Sequence, residues 1–346
     1  MSCPDLVRVA APADHSEDLD VQATPNSDEL AVPPAEPTSA GSPTYAAPWS
    51  GRHLSEIEAG RLMRSSPARV VGVIGPRGAG KTCLLTSFFL LLADGKCADL
   101  SYRFAASRSL FAFQTVGHQL SQWDGHTDGQ MVAHTQVSTK EEQEPGAFLH
   151  VGLRPRDPGD NRLIDLLLCD IAGEYFEKFS SLADSTTQER MAFLRRCNTF
   201  VLVVDGPALV GTGGRKLDSQ LARMLGRIID TIESVGARER PPIVVAVSKV
   251  DDLSPEKLEK GPKAFLKKHG RRIMNALGRA RDAEIPCECF AVSAIPKEGQ
   301  PQGVSELFCH VLGGIDKRTP WPPICVQLPE HPFPSFLAHR RWRQDT

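Results

Sequence analysis

The sequence predicts an α/β fold in which helices cover both faces of a mostly parallel central sheet, giving three layers. Apolar, β-branched runs of strand length alternate along the chain with longer segments whose apolar residues recur at helical spacing. Strands joined through helices require right-handed crossovers, which produce parallel neighbours. A glycine-rich loop and several short polar motifs follow the strand-like runs, where open parallel sheets bind their ligands.

Composition bounds the class of protein. The 346 residues are 41% hydrophobic, which allows a substantial core, and the formal net charge is -2. Residues 1–50 hold eight acidic residues and one arginine, so the remainder is mildly and diffusely basic, which does not favour nucleic acid as the main ligand. The nine cysteines show no metal-ligand spacing, and no apolar run forms a secretory signal or spans a bilayer. We therefore expect a cytoplasmic protein with reduced thiols.

The chain divides into one domain and two tails. Residues 1–50 are rich in proline and acids, which predicts a disordered tail, either a solubilising leader or a partner-docking arm. A single domain is expected over 51–317, with its core over about 66–315 and an insert over about 98–145. Residues 318–346 form a second tail rich in proline and arginine, whose basic end is either solvated or contacts an acidic partner or nucleic acid.

The apolar patterns predict the elements in order. The first helix begins near His53, with Leu54, Ile57 and Leu62 on one face, and ends before Pro67. The predicted strands are Arg69–Ile74, Leu100–Ala106, Gly146–Leu153, Arg162–Cys169, Thr199–Asp205, Ile243–Val247 and Cys287–Val292. The other predicted helices are Cys83–Leu92, Leu110–Trp123, Leu217–Val235, Pro255–Arg281 and Val304–Leu312.

Two of these elements allow a further expectation. The strands 146–153 and 162–169 are joined by a turn and should pair with each other. The apolar stripe Leu110, Phe113, Val116, Leu120 and Trp123 is interpreted as core packing and not as a ligand surface. The polar stretch 124–144 that follows is a loop that a bound ligand could order.

The stretch from Gly75 to Thr82 matches the phosphate-binding pattern G-x-x-x-x-G-K-[ST] at every fixed position, between a strand and a helix. Its glycines let backbone N–H groups point at phosphate oxygens, Lys81 would reach the outer phosphates, and Thr82 would bind Mg²⁺. The alternative is a glycine-rich turn that fits by chance. The residues predicted to bind nucleotide here are Gly75, Pro76, Arg77, Gly78, Ala79, Gly80, Lys81, Thr82 and Cys83.

A second motif, Asp170-Ile171-Ala172-Gly173-Glu174, follows the strand that ends at Cys169. A carboxylate at such a strand end can hold Mg²⁺ through water, and the glycine can offer its N–H to a terminal phosphate. The pattern is weak by itself. Its place after an apolar strand, downstream of a phosphate loop, makes it more specific.

The remaining motifs are Ser248-Lys249-Val250-Asp251 and Ser293-Ala294, each at the end of a strand. Together with the phosphate loop and Asp170-x-x-Gly173, in this order, they resemble the G1, G3, G4 and G5 elements of Ras-like GTPases of the translation-factor-related class. The resemblance covers about residues 66–315 and implies a phosphate-loop NTPase fold. More narrowly, the runs Ile74–Leu92 and Leu166–Glu174, with the insert between them, resemble the type 2 subgroup of the bacterial double-GTPase family of conflict and defence systems.

This resemblance implies how a guanine base is read. Asp251 would accept hydrogen bonds from the guanine N1–H and 2-amino group, a pair of donors that adenine lacks. Lys249 would lie over the base, and the N–H of Ala294 would meet the guanine O6, next to Ser293. Ser248 stands where asparagine is more common, and its shorter side chain is expected to tie the base loop less firmly to the phosphate loop.

The resemblance also assigns the hydrolytic and metal residues. Glu174 stands where a water-orienting glutamine is common, so we expect slow hydrolysis. Arg77 would either supply charge to the γ-phosphate or crowd it. Thr135, with Thr139 as the second choice, would complete the Mg²⁺ ligands that begin with Thr82 and Asp170.

The leading hypothesis is a GTP-binding switch that requires Mg²⁺, alternates between GTP and GDP, and signals to a protein effector. An ATPase of another phosphate-loop class, or a scaffold that binds nucleotide without turnover, are the alternatives. A homodimer or heterodimer with another G domain stays open. No membrane span and no nucleic-acid partner are expected.

Overall fold

The computed structural model describes residues 51–66, 68–121, 148–157, 159–160, 162–170, 192–235, 240–296 and 299–313. These residues form a seven-stranded sheet with helices on both faces, which confirms the predicted three-layer α/β fold. The strands are β1 (Ala68–Ile74), β2 (Tyr102–Ala106), β3 (Phe148–Pro155), β4 (Ile164–Asp170), β5 (Thr199–Asp205), β6 (Ile243–Ser248) and β7 (Cys287–Ala291). The α-helices in the described ranges are α1 (Glu56–Ser65), α2 (Lys81–Ala93), α3 (Leu110–Ser121), α4 (Gly206–Val210), α5 (Gly214–Val235), α6 (Pro255–Leu258), α7 (Gly261–His269), α8 (Arg271–Asp282) and α9 (Val304–Leu312).

The sheet has the strand order β2-β3-β4-β1-β5-β6-β7. Five strands, from β4 to β7 in this order, run parallel, whereas β3 is antiparallel to both of its neighbours. The antiparallel pairing of β3 with β4, from Phe148 opposite Cys169 to Leu153 opposite Ile164, confirms the predicted pair. Because the parallel strands share one direction, their carboxyl ends meet at the same edge of the sheet.

Each face of the sheet has its own hydrophobic core. Along β1, Val71 and Val73 point to the core under α2, α3 and α9, whereas Val70 and Ile74 point to the core under α1, α5, α7 and α8. This alternation is the period-2 pattern of a strand covered on both faces. The predicted helix Leu217–Val235 is confirmed as α5, and its buried apolar side chains are Leu221, Met224, Leu225, Ile228, Ile229 and Ile232.

The insert after α2 contributes the edge strand β2 and the helix α3. The Phe89 ring of α2 stacks on Phe113 of α3 with centroids 4.1 Å apart and meets Phe104 of β2 edge-on at 5.5 Å. The predicted stripe of α3 is only partly correct. Phe113 is buried, but Leu110 is 41% exposed, because α3 packs on α2 mainly through Ala112 and Phe113. Trp123 and the polar stretch 124–144 lie outside the described residues.

A buried polar cluster fixes the insert to the sheet. His150 Nε2 lies 2.8 Å from Asp165 Oδ1, and both side chains are buried. Because the Arg108 N–H donates to His150 Nδ1 at 2.9 Å, the imidazole carries its hydrogen on Nε2 and donates it to Asp165. The Ser66 hydroxyl, just after α1, also donates to Asp165. The cluster therefore joins α1, β3, β4 and the loop before α3.

The first helix differs from its prediction at its start, which is Glu56 and not near His53, and in the burial of Ile57. Its start is fixed by a capping box, in which the Ser55 hydroxyl accepts from the Glu58 N–H and Glu58 accepts from the Ser55 N–H. Leu54 and Leu62 are buried, but Ile57 is 44% exposed, so its predicted place on the same face is wrong. Leu54 precedes the helix and pairs with Phe148 as an isolated β-bridge, so the helical period does not apply to it.

The predicted helix over 255–281 is wrong as one element, since three helices occupy it. Gly261 has φ +79°, a left-handed conformation that a continuous helix does not contain, and Gly270 separates α7 from α8. The buried Asp218 of α5 accepts hydrogen bonds from the N–H groups of Arg272 and Ile273, at 3.1 and 3.0 Å. A side chain from another helix therefore caps α8 and fixes where it begins. The short α4 lies between the predicted strand Thr199–Asp205 and the predicted helix Leu217–Val235, where no element was predicted.

Across the described part of the chain, no helix combines the length and the apolar character needed to cross a bilayer.

Candidate functional site

The carboxyl ends of the parallel strands β1, β4, β5, β6 and β7 meet at one edge of the sheet. Four side-chain contacts link them, each between residues distant in the sequence. The pairs are Thr82 with Asp170, Ser248 with Ala79, Lys249 with Asp205, and Asp251 with Ser293. These contacts therefore link the described residues of the predicted motifs along this edge.

The loop from Gly75 to Thr82 needs glycine at three positions for two reasons. Gly78 and Gly80 have φ of 76° and 87°, a region that residues with a Cβ rarely adopt. Gly75 has no room for a side chain, because a Cβ there would lie 2.6 Å from the Val203 carbonyl oxygen of β5. α2 begins within this loop at Lys81, so the N–H groups of its first turn have no carbonyl partners within the helix and are suited to bind an anion.

Lys81 is buried and lies inside the curve of this loop. Its ammonium donates to the carbonyl oxygens of Gly75 and Pro76, at 3.0 and 3.1 Å. Two backbone carbonyls thus compensate a charge that would otherwise be costly to bury. The arrangement keeps a cation at the centre of the loop, where a phosphate chain would bring negative charge.

Thr82 and Asp170 provide oxygen atoms suited to Mg²⁺. The Thr82 hydroxyl donates to Asp170 Oδ2 at 2.7 Å, which leaves the lone pairs of the Thr82 oxygen available to a metal. Asp170 is buried at the end of β4. Hydroxyl and carboxylate oxygens are the hard ligands that Mg²⁺ prefers, usually together with waters and substrate phosphates, so these residues fit the ion.

The pKa of Cys83, the residue after Thr82, is shifted by its burial and by charged groups of the site. Burial first, and then the Asp170 carboxylate, raise the pKa of the Cys83 thiol to about 11, while the Lys249 ammonium acts in the opposite direction. Cys83 is therefore a neutral thiol near pH 7 and does not act as a nucleophile there. Both the carboxylate from the β4 end and the ammonium from the β6 end thus act on the start of α2.

Ser248 makes the connection between the loop after β6 and the phosphate loop. Its buried hydroxyl lies 2.7 Å from the Ala79 carbonyl oxygen and 3.2 Å from that of Val204. An asparagine at this position is expected to connect the base loop to the phosphate loop. The Ser248 hydroxyl makes this connection with a single hydrogen bond. That serine connects the two loops less firmly than asparagine would stays a prediction.

Asp251 and Ser293 bring the last two strand ends together. The Ser293 hydroxyl donates to Asp251 Oδ1 at 2.5 Å, a short, charge-assisted hydrogen bond that fixes the orientation of the carboxylate. Ser293 is buried and pairs through its backbone with Gln302, whereas Asp251 is exposed. Ala294 follows directly and is half-buried.

Some predicted residues are not in this group. Arg77 is described and lies exposed on the phosphate loop. Gly173, Glu174, Thr135 and Thr139 lie outside the described residues.

Asp205, at the end of β5, belongs to the site although the sequence analysis gave it no role. It forms an ion pair of 2.7 Å with Lys249 and accepts the Ala208 N–H at 2.8 Å. The available signal was an acidic residue at a strand end directly before Gly206-Pro207, a pattern typical of a helix N-cap.

Comparison with known proteins gives distant structural likenesses. The signal recognition particle receptor SRb-GTP/SRX complex from Chaetomium thermophilum is 17% identical with a TM-score of 0.42, over 70% of this chain and 96% of its own. The G domain of the T. maritima FeoB iron transporter is 12% identical with a TM-score of 0.33, over 71% of this chain and 98% of its own. The elongation factor SelB from Methanococcus maripaludis, in complex with the GTP analogue GppNHp, is 14% identical with a TM-score of 0.36, over 74% of this chain and 35% of its own. At such identities and TM-scores these likenesses do not bear on function.

The family comparison is decisive, although no curated protein matches the chain. The family model for Double-GTPase 2 matches residues 69–310. This range runs from β1 into α9 and contains the motif at every strand end of the site. The chain is a member of the Double-GTPase 2 family.

Proposed function

We propose that this protein is a Mg²⁺-dependent GTP-binding switch that hydrolyses GTP slowly. Membership of the Double-GTPase 2 family supports guanine-nucleotide binding. The observation that carries the proposal further is the 2.7 Å contact between the Ser248 hydroxyl and the Ala79 carbonyl oxygen. It joins the loop suited to phosphates to the loop suited to a base, so one nucleotide can contact both.

Base selection would rest on Asp251. Its carboxylate can accept both guanine donors, the N1–H and the 2-amino group, which adenine does not present together. The bond from Ser293 limits its rotation, so less order is lost when the base binds. A site built to accept these donors rejects a base that lacks them, because the carboxylate would lose its partners.

The phosphates and the metal would lie between α2 and the end of β4. Lys81 would contact the outer phosphates and Thr82 would ligate Mg²⁺, with Asp170 acting through water. Bound Mg²⁺ would neutralise charge on the phosphate oxygens. Gly173 would offer its N–H to the γ-phosphate, and Thr135, or else Thr139, would be the switch threonine.

Hydrolysis would be slow because Glu174 presents a carboxylate where a neutral water-orienting group works best. Arg77 either stabilises the transition-state charge or crowds the γ-phosphate. Single-turnover hydrolysis by Arg77→Gly distinguishes these roles, since a charge donor's loss slows the reaction and an obstruction's loss accelerates it. A wild-type rate comparable to that of an activator-stimulated GTPase would contradict slow hydrolysis.

The switch would signal to a protein effector in the cytoplasm, in a bacterial conflict or defence system, alone or in a dimer with another G domain. We assign the GTPase domain to 51–317, with tails over 1–50 and 318–346. Nucleotide-dependent change in the loops around 124–145 and 172–186 would carry the signal.

The direct test is the identity of the bound nucleotide. Freshly purified protein is denatured and the released nucleotide is separated chromatographically, then GTP and ATP compete for fluorescent GDP in the presence of Mg²⁺. We expect GDP or GTP to elute and GTP to compete at far lower concentration than ATP. Equal competition by ATP would indicate an ATPase of another class, and tight binding without phosphate release over hours would indicate a static scaffold.

A further inference from the structure

The Asp205 carboxylate uses its two oxygens for two different purposes. Oδ1 accepts the Ala208 N–H at 2.8 Å and caps α4. Oδ2 lies 2.7 Å from the Lys249 ammonium. The cap requires only a polar acceptor, which asparagine or serine also provides. The contact with Lys249 is different, because it depends on negative charge.

Lys249 has an unusual backbone conformation. Its φ of 56° and ψ of 41° lie in the left-handed region, and it is one of two non-glycine residues with positive φ in the described ranges. Residues with a Cβ stay in this region where the surroundings hold them, and such positions cluster at ligand sites. Asp205 and Ser248 are opposite each other in the pairing of β5 with β6, so the anchor for the ammonium comes from the neighbouring strand end.

The surroundings make this pair more than an ordinary surface salt bridge. The Asp205 side chain is only 14% exposed and its residue is paired with Ser248 of β6, whereas the Lys249 side chain is 40% exposed. The sheet therefore holds the Asp205 carboxylate in place, and the position of the Lys249 side chain depends on its ion pair with this carboxylate. Its backbone lies between Ser248, which hydrogen-bonds to the phosphate loop, and Asp251, the residue proposed to select the base.

We propose that Asp205 is a positioning residue that holds Lys249 extended along the base pocket, so that the methylene stem of the lysine packs against the guanine ring. Asp205 itself does not touch the nucleotide. This inference rests on the proposed function. It adds that guanine-nucleotide affinity depends on a carboxylate outside the four sequence motifs.

The test is a double-mutant cycle. Asp205→Asn keeps the size and the helix cap and removes the charge, Lys249→Met keeps the apolar stem and removes the ammonium, and the double variant combines them. Affinity and dissociation rate of fluorescent GDP are measured by stopped flow, and the melting temperature of each nucleotide-free protein is recorded. Glu288→Gln is the matched control, because Glu288 forms an exposed ion pair with Lys263 at 3.0 Å, away from the site.

We expect Asp205→Asn to weaken GDP binding about fivefold to tenfold, mostly through faster dissociation, with little change in melting temperature. In the Lys249→Met background the same change should cost less than about twofold. Wild-type affinity of Asp205→Asn, or an equal loss with and without Lys249, would overturn the inference. If Asp205→Asn does not fold, Asp205→Ser repeats the cycle.

The outcome separates this inference from the proposed function. A wild-type protein that does not bind guanine nucleotide would contradict both. A wild-type protein that binds it, with an Asp205→Asn variant that binds equally well, would contradict only the role of Asp205.

Discussion

Ser248 connects the base loop to the phosphate loop through one hydrogen bond. A hydroxyl can donate only once, and the Ala79 carbonyl oxygen at 2.7 Å is the closer of its two acceptors. An asparagine amide could donate twice. The serine therefore concentrates the connection between the base loop and the phosphate loop in a single buried bond.

We predict that Ser248→Ala lowers both stability and guanine-nucleotide affinity. Removing a buried hydrogen-bond donor is expected to reduce the free energy of unfolding by about 1–3 kcal/mol. Urea denaturation measures the first effect and GDP titration the second. Ser254→Ala is the control, because Ser254 precedes α6 without making a side-chain cap bond. A Ser248→Ala protein with unchanged stability and affinity would contradict this role.

At the scale of residues, the sequence predicts the positions whose type local chemistry dictates. Gly78 and Gly80 were predictable because their left-handed φ angles require glycine. The partner of Lys249 was not predictable, because Asp205 lies 44 positions away and meets it only after β5 and β6 have paired. Local pattern carries no information on such a contact.

At the scale of elements, Leu54 and Ile57 look equivalent in the sequence but differ in burial, because Leu54 precedes α1 and Ile57 lies within it. Leu54 is fully buried beside Phe148, with which it exchanges two backbone hydrogen bonds of 2.8 and 2.9 Å. Ile57 lies in the first turn of α1 and is 44% exposed. The pairing of Leu54 with the start of β3 overrides the helical pattern that grouped these two side chains.

We predict that truncation to alanine has a large effect on stability at Leu54 and almost none at Ile57. Leu54→Ala should lower the free energy of unfolding by about 2–5 kcal/mol, because it removes buried methyl groups and leaves a cavity. Ile57→Ala is the matched control and should change it by less than about 0.5 kcal/mol. Chemical denaturation measures the free energy of unfolding of both variants. Similar losses for both would support the sequence-based placement of Ile57 and contradict the structure.

The division of the 255–281 segment has the same kind of cause. The apolar positions alone fit one helix, but Gly261 and Gly270 allow the chain to turn between α6, α7 and α8. The cap that starts α8 comes from Asp218 of α5. Elements with strong local periodicity, such as α5 and α9, were predictable. Boundaries that depend on a distant cap were not.

At the scale of the whole molecule, the buried cluster around His150 and Asp165 connects parts that are remote in the chain. It joins the end of α1, the paired strands β3 and β4 and the loop before α3. The Ser107 hydroxyl adds a bond of 2.7 Å to the His150 carbonyl oxygen. The described part of the insert, with β2 and α3, is thus joined to the sheet and is not a separate appendage.

We predict that His150→Leu destabilises the whole fold. It removes the hydrogen bond from the neutral imidazole to the buried Asp165 carboxylate, which is expected to cost about 1–3 kcal/mol. The exposed pair of Lys263 and Glu288 offers a control, since Glu288→Gln should cost less than about 1 kcal/mol. Thermal unfolding compares them. Equal stability of His150→Leu and wild type would show that the cluster does not hold the insert.

The alternation of strands and helices predicted the overall fold, and with it the edge of the sheet where the motifs meet. The direct bonds across that edge, between Thr82 and Asp170 and between Ser248 and Ala79, required the structure. Together they support the central claim that one guanine nucleotide lies along this edge.

The most direct measurement of that claim is the nucleotide preference of Asp251→Asn, compared with Asp252→Asn on the same exposed turn. The carboxylate accepts a hydrogen bond from the 2-amino group of guanine, whereas the NH₂ of an asparagine donates one. The carbonyl oxygen at position 2 of xanthine can accept that bond, so xanthine becomes the matching base. Competition against fluorescent GDP and fluorescent XDP should show Asp251→Asn losing GTP affinity by about 100-fold and gaining XTP binding, while Asp252→Asn keeps the wild-type preference. Unchanged GTP binding by Asp251→Asn would contradict the account.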